Sequence, residues 1–105
     1  MIVTAWNNGK HHRSGAGYGL KITIPDRDKY FKREWQYVII RYSDSNQEAK
    51  VNIEKQSFWG DACRELINID IGKWFLQKSI APWLKGSLPK LRLEPISDNV
   101  FLLVV

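Results

Sequence analysis

Cysteine is almost absent from this sequence. Cys63 stands alone among 105 residues, so no disulfide can form within the chain, and a reducing, cytoplasmic setting is the expectation. No apolar run approaches the roughly 18 residues that a membrane-spanning helix needs. The opening "MIVTAWNNGK" has neither the basic region nor the apolar stretch of a signal peptide, so no membrane partner is expected. Internal repeats, low-complexity tracts and linker-like stretches are missing too, which predicts one domain over residues 1–105. The only histidines, His11 and His12, are adjacent, and Cys63 has no second thiol near it. Zinc sites need spaced ligands that converge, so neither a metal nor a cofactor is expected.

Acidic residues are missing from two long segments. Residues 1–25 carry Lys10, Arg13 and Lys21 and no acid, for a charge of +3. Residues 71–93 carry Lys73, Lys78, Lys85, Lys90 and Arg92 and again no acid, for +5. Between them the signs nearly cancel at −1, and the tail contributes −2 through Glu94 and Asp98. If the fold joins the two acid-free segments, they form one basic face, the electrostatic footprint of a polyanion binder. If it separates them, the charge is a dispersed, solubilising surface.

The first of these segments contains "NNGKHHRSGAGYG", residues 7–19, with four of the seven glycines. Its "GAGYG" has the third glycine one residue too early for a dinucleotide fingerprint, and a strand rather than a helix follows. Lys10 is followed by His11 rather than Ser or Thr, and no glycine stands five residues before Gly9, so a P-loop is excluded as well. What is left is a long hairpin or Ω-type loop in which glycines supply positive φ. Loops of about a dozen residues in compact domains are often functional. Asn7, Asn8, Lys10, His11, His12, Arg13 and Ser14 all form hydrogen bonds suited to phosphate oxygens or base edges. The histidines would make such contacts sensitive to pH near neutrality.

The periodicity gives the elements. "IVTAW" reads as a short strand, and "YGLKITI" alternates Leu20, Ile22 and Ile24 against Lys21 and Thr23 until Pro25 ends it. "DRDKYFKREW" reads as a short helix capped by Asp26. "WQYVIIRY", apolar on both faces, is a central strand, and "AKVNIE" pairs with it as a hairpin. Ser57 can cap a helix through "FWGDACRELIN", which places Cys63 on the buried side as a small core residue. Asp70 can cap "IGKWFLQKSIA", with Ile71, Trp74 and Phe75 inward and Pro82 as its stop. After the loop "PWLKGSLP" come the strands "KLRLEPI" and "NVFLLVV". The last is so apolar that it is either a buried strand or pairs with a second copy of the chain as a homo-oligomer. The fold class expected is α+β: a small, mostly antiparallel β-barrel or strongly bent sheet of about six strands with two or three short helices.

Residues 20–31, "LKITIPDRDKYF", run from a strand through Ile-Pro into a short polar helix closing on Tyr-Phe. This segment resembles the opening of the B3-type DNA-binding pseudobarrels of plant transcription factors and certain restriction-enzyme recognition domains. The resemblance implies an open seven-stranded barrel with short helices. It covers about a tenth of the chain and carries no binding residues across. An added strand and the glycine-rich loop in front, and two consecutive helices later, are departures from that pattern.

The functional expectation is a non-catalytic domain that binds a polyanion, above all nucleic acid. Lys10, His11, His12, Arg13 and Lys21 would contribute from one side, and Lys85, Lys90 and Arg92 from the other. Trp83, between Pro82 and Leu84 in a loop, is the candidate aromatic platform for a base. Two alternatives stand beside it. One is a small metal-independent ribonuclease that uses His11, His12 and Arg13 for proton transfer and charge neutralisation. The other is a protein-interaction module.

Overall fold

The computed structural model describes residues 1–104. Seven strands form one mixed sheet that curls into an almost closed barrel: β1 (Ile2–Asn7), β2 (Tyr18–Lys21), β3 (Tyr37–Tyr42), β4 (Glu48–Asn52), β5 (Glu65–Ile67), β6 (Lys90–Ser97) and β7 (Val100–Val104). Their order across the sheet is β4-β3-β7-β6-β1-β2-β5, and β3 with β7 is the one parallel neighbour pair. Three short helices, α1 (Ile24–Tyr30), α2 (Gln56–Trp59) and α3 (Ile69–Gln77), complete the α+β fold. The strand count exceeds the expected six by one, because β5 lies in a stretch that reads as helical.

Alternation builds the barrel interior. Val3 and Ala5, Leu20 and Ile22, Val38 and Ile40, Val51 and Ile53, Leu93, Phe101 and Leu103 all lie buried in one apolar cluster. Aromatic groups close its two ends. Near α1, Phe31 stacks on Phe101 at 4.6 Å and meets the Phe58 ring at 5.4 Å. Near α3, Trp74 stacks on Tyr42 at 4.9 Å, and Phe75 meets Tyr18 edge-on at 5.9 Å. Trp74 and Phe75 are thus core, as their helical spacing predicted. The apolar run near the C-terminus becomes β7, with β3 on one side and β6 on the other. Pairing with a second copy through this strand would have to displace one of them. The expected end of that strand, Val105, lies outside the described residues.

Helix boundaries differ from the sequence reading. Thr23, not Asp26, caps α1, accepting from the Asp26 N–H at 3.3 Å, and Pro25 sits in the first turn, where a missing N–H costs nothing. The expected helix over 58–68 is only the four residues of α2. The reason is Arg27, buried in α1, whose guanidinium donates to the Phe58 and Gly60 carbonyls at 3.1 and 2.6 Å. A continuing helix would need those carbonyls for Ala62 and Arg64. Released from the helix, Glu65, Leu66 and Ile67 pair with β2, and Leu66 lies opposite Leu20 in the register. Cys63, expected in the core, is exposed in the connecting loop. Asn68 rather than Asp70 caps α3. The helix ends at Gln77, short of the expected Ala81, where Ser79 adopts φ 57°.

Asn68 also closes the barrel seam. Its Oδ1 accepts from the Asp70 N–H at 2.7 Å, while its Nδ2 donates across the gap to the Lys50 carbonyl of β4 at 2.8 Å. Replacing Asn68 with Ala should cost about 1–3 kcal/mol in urea unfolding, since both a cap and a cross-seam bond are lost. Asn68→Ser, which keeps the cap alone, should recover roughly half of that. Acid stability has a separate origin. Bonds from the Lys78 ammonium and the Trp74 indole N–H hold the Asp44 carboxyl below its ordinary range. A carboxyl depressed in the folded state stabilises above its unfolded value, about 3.9, and that contribution fades as the pH falls further. Asp44→Asn should therefore flatten the decline of the thermal midpoint below about pH 4.

Candidate nucleic-acid interface

The glycine-rich loop between β1 and β2 is firmly held. The Asn8 N–H extends the β1–β2 ladder to the Gly17 carbonyl at 2.9 Å, and the Gly15 N–H closes a turn on the His12 carbonyl at 3.2 Å. Gly15, with φ 90°, lies directly against α3. A Cβ on Gly15 would sit 2.7 Å from the Lys73 nitrogen, and a Cβ on Gly72 would overlap the Gly15 carbonyl. Two glycines, one in each element, let the backbones touch.

This docking sets the position of His11. The Asn7 side chain spends its Oδ1 on the Gly9 N–H at 3.1 Å, which turns its Nδ2 toward the imidazole. His11 Nε2 therefore accepts from Asn7 at 3.1 Å, and Nδ1–H donates to the Tyr18 hydroxyl at 2.8 Å. Burial pushes the Tyr18 phenol above its ordinary value, so it stays a neutral partner. The His11 ring meets the edge of Trp83 at 4.7 Å, and Trp83 packs on Tyr18 at 5.7 Å and on Phe75 at 6.1 Å. Asn7, Gly9, His11, Trp83 and Lys85 line a cleft of about 500 Å³.

The two acid-free segments thus meet. His11 comes from the first, Trp83 and Lys85 from the second. Lys73 of α3 approaches Gly15 only through its backbone nitrogen, and it lines a separate cleft with Tyr42, Gln47, Glu48, Asp70 and Gln77. Lys10, His12 and Arg13 project from the loop, exposed. Lys21 and Lys90 form a second group, facing Thr4 from either side in the sheet register, and the Lys90 ammonium donates to the Thr4 hydroxyl at 2.7 Å. Thr4 stands three residues before Asn7, or about 10 Å along the strand. Arg92 is set apart. It lies opposite Ile2, at the end of β1 away from the loop, and its guanidinium pairs with Glu94 at 2.9 Å. Lys78, from the same basic segment, pairs with Asp44. Among the described residues, Lys10, Arg13, Lys21, Lys73, Lys85 and Lys90 make no ion pair. Trp83 is half-buried: its ring packs on His11, Tyr18 and Phe75 and also lines the cleft.

A second cleft, of about 440 Å³, has no signal in the sequence. Arg33, Glu54, Lys55, Gln56, Trp59 and Gly60 line it, and the Arg33 and Arg27 guanidiniums lie 5.0 and 5.7 Å from the Trp59 ring. It belongs to the α1 region, carries both charge signs and does not adjoin the basic loop.

Replacing a helical glycine with alanine ordinarily stabilises a helix by up to about 1 kcal/mol. Gly72→Ala should do the opposite, costing about 1–3 kcal/mol by overpacking against Gly15. Amide exchange across residues 8–17 should quicken by more than the global loss of stability accounts for, since the loop would lose its seat. Comparison with protein-family models, with curated proteins and with solved structures finds no match for this chain.

Proposed function

We propose that this chain is a non-catalytic nucleic-acid-binding domain whose contact surface is the loop–Trp83 cleft and the lysines around it. The observation that carries the reading is the contact of His11 with Trp83 beside Lys85, which unites two basic, acid-free segments far apart in sequence. Five cations without ion pairs, Lys10, Arg13, Lys21, Lys85 and Lys90, stand on the loop, beside Trp83 and on the β1–β2–β6 surface. Such charges suit phosphate contacts, while Asn7 and Trp83 offer polar and aromatic surface to a base. The resemblance of residues 20–31 to B3-type pseudobarrels supports the same reading. That resemblance rests on the sequence of those twelve residues alone.

No specific observation favours the ribonuclease alternative. Both ring nitrogens of His11 are engaged by Asn7 and Tyr18, and His12 is exposed with no described side chain bonded to it. Two convergent proton-transfer groups are what such chemistry requires.

Binding to short DNA and RNA duplexes should weaken steeply between about 50 and 200 mM salt, with a log–log slope near −0.9 per phosphate contacted on B-DNA. Lys10→Ala, Lys85→Ala and Lys90→Ala should each reduce that slope by about one and lower affinity alike for unrelated sequences. Arg92→Ala should change it least, because Glu94 already holds that charge. Absence of binding at low salt would falsify the proposal.

A further inference from the structure

The loop over residues 82–89, between α3 and β6, presents an unusual tip. Leu84 is 79% exposed, more than any other large apolar side chain described, and Leu88 is 49% exposed. Gly86, at φ 82°, turns the chain between them. The charges around the tip are Lys85 and Lys90, with no acid between residues 71 and 93. An apolar tip in a cationic surround complements a polyanion with an apolar interior, which describes a stacked nucleic-acid duplex. Proteins that open base steps insert apolar side chains of this kind.

The cleft lies directly beside this tip. Trp83 is the neighbour of Leu84 in sequence and a wall of the cleft, and Lys85 is its other neighbour and also lines it. At about 500 Å³, the cleft falls within the roughly 300–1,000 Å³ of small-molecule sites. The Trp59 indole N–H donates to the Ile53 carbonyl and that of Trp74 to Asp44, whereas those of Trp83, Trp6 and Trp35 have no acceptor among the described residues. An aromatic wall, an indole N–H with no internal acceptor and a lysine together provide what one unstacked nucleotide needs, with the second N–H of the Asn7 amide beside them.

We propose that Leu84 wedges into the stack of a bound duplex and that the adjoining cleft receives the displaced nucleotide. Its base lies against Trp83 and His11, and its phosphate lies on Lys85. This inference rests on the nucleic-acid reading and specifies how that surface engages its ligand.

The test uses short duplexes carrying one 2-aminopurine, paired with thymine or mispaired with cytosine, at low salt. Stacking quenches the probe, so displacement raises its emission. The intact chain should raise emission several-fold on the mispaired duplex and bind it about tenfold more tightly than the paired one, since opening a mismatch costs least. Leu84→Ser alters an exposed side chain and leaves every lysine in place. It should keep affinity for paired duplex within about threefold while abolishing both the emission rise and the mismatch preference, because phosphate contacts dominate affinity. Trp83→Phe, which retains a ring in the aromatic cluster but lacks the N–H, should lose most of the emission rise. Salt-dependent duplex binding with silent 2-aminopurine would overturn the wedge while leaving the nucleic-acid reading intact. An emission rise unchanged in Leu84→Ser would overturn it too. Failure to bind any duplex would overturn both.

Discussion

The backbone contact between Gly15 and Gly72 is the constraint on which the candidate site depends. Neither residue tolerates a Cβ, because the loop carbonyl and the helix backbone occupy the space it would fill. A glycine inside a helix ordinarily costs up to about 1 kcal/mol relative to alanine. Here that cost goes with a loop of about ten residues seated on a helix that is itself anchored by Trp74 and Phe75 in the core. From this seat the rest follows. Asn7 and Gly9 form a local turn, Asn7 orients His11, and His11 reaches Tyr18 and the edge of Trp83. Loop, helix and the segment leading into β6 become one surface.

The cations of the barrel differ in the partners they have. On the β3–β4 side and along the outer stretch of β6, three cations are ion-paired, Arg41 with Glu48, Lys78 with Asp44 and Arg92 with Glu94, while Lys50 lies over the Tyr37 ring. Near α1, Lys29, Lys32 and Arg33 lie over Tyr30, Trp35 and Trp59, with acids close by in sequence. Around the glycine loop and the Thr4 row neither kind of partner is used. Exposed ion pairs contribute little to stability, about 0–1 kcal/mol each, so this difference matters less to the fold than to the field it leaves. Cations without local partners are available to an anion arriving from solution.

Much of the fold was legible because strands with one buried face must alternate, and these do. Val3 and Ala5, Leu20 and Ile22, Val51 and Ile53 point inward where two-residue spacing places them. The region after β4 misled for a definite reason. Phe58, Ala62 and Leu66 recur every four residues, so the pattern reads as a helical face. What decides the outcome is Arg27, more than thirty positions away, which takes the Phe58 and Gly60 carbonyls a helix would need. A single long-range donor outweighed a local periodicity. Of the site, the acid-free segments, the histidine pair and Trp83 could be singled out from sequence. The Gly15–Gly72 fit could not, since a lone glycine within a helical pattern does not announce what it packs against. The pairing of Arg92 was equally hidden, because residues two apart on a strand share a face with no sequence mark to say they bond.

A seated loop changes what glycine richness means in this chain. A free loop of this length would lose its conformational freedom on meeting a ligand, at roughly 1 kcal/mol or more for each residue ordered. Here much of that ordering is completed during folding, through the backbone bonds of Asn8 and Gly15 and the contact with Gly72. Positive φ at Gly9, Gly15 and Gly17 therefore shapes the loop rather than loosening it. A preorganised cationic loop retains more of its contact energy as affinity. Lys10 and Arg13 extend into solvent, while Asn7, His11 and Trp83 are tied together by hydrogen bonds and ring contacts. The surface thus combines exposed charge at its rim with a packed aromatic and polar centre, the arrangement on which the proposed nucleic-acid contact relies.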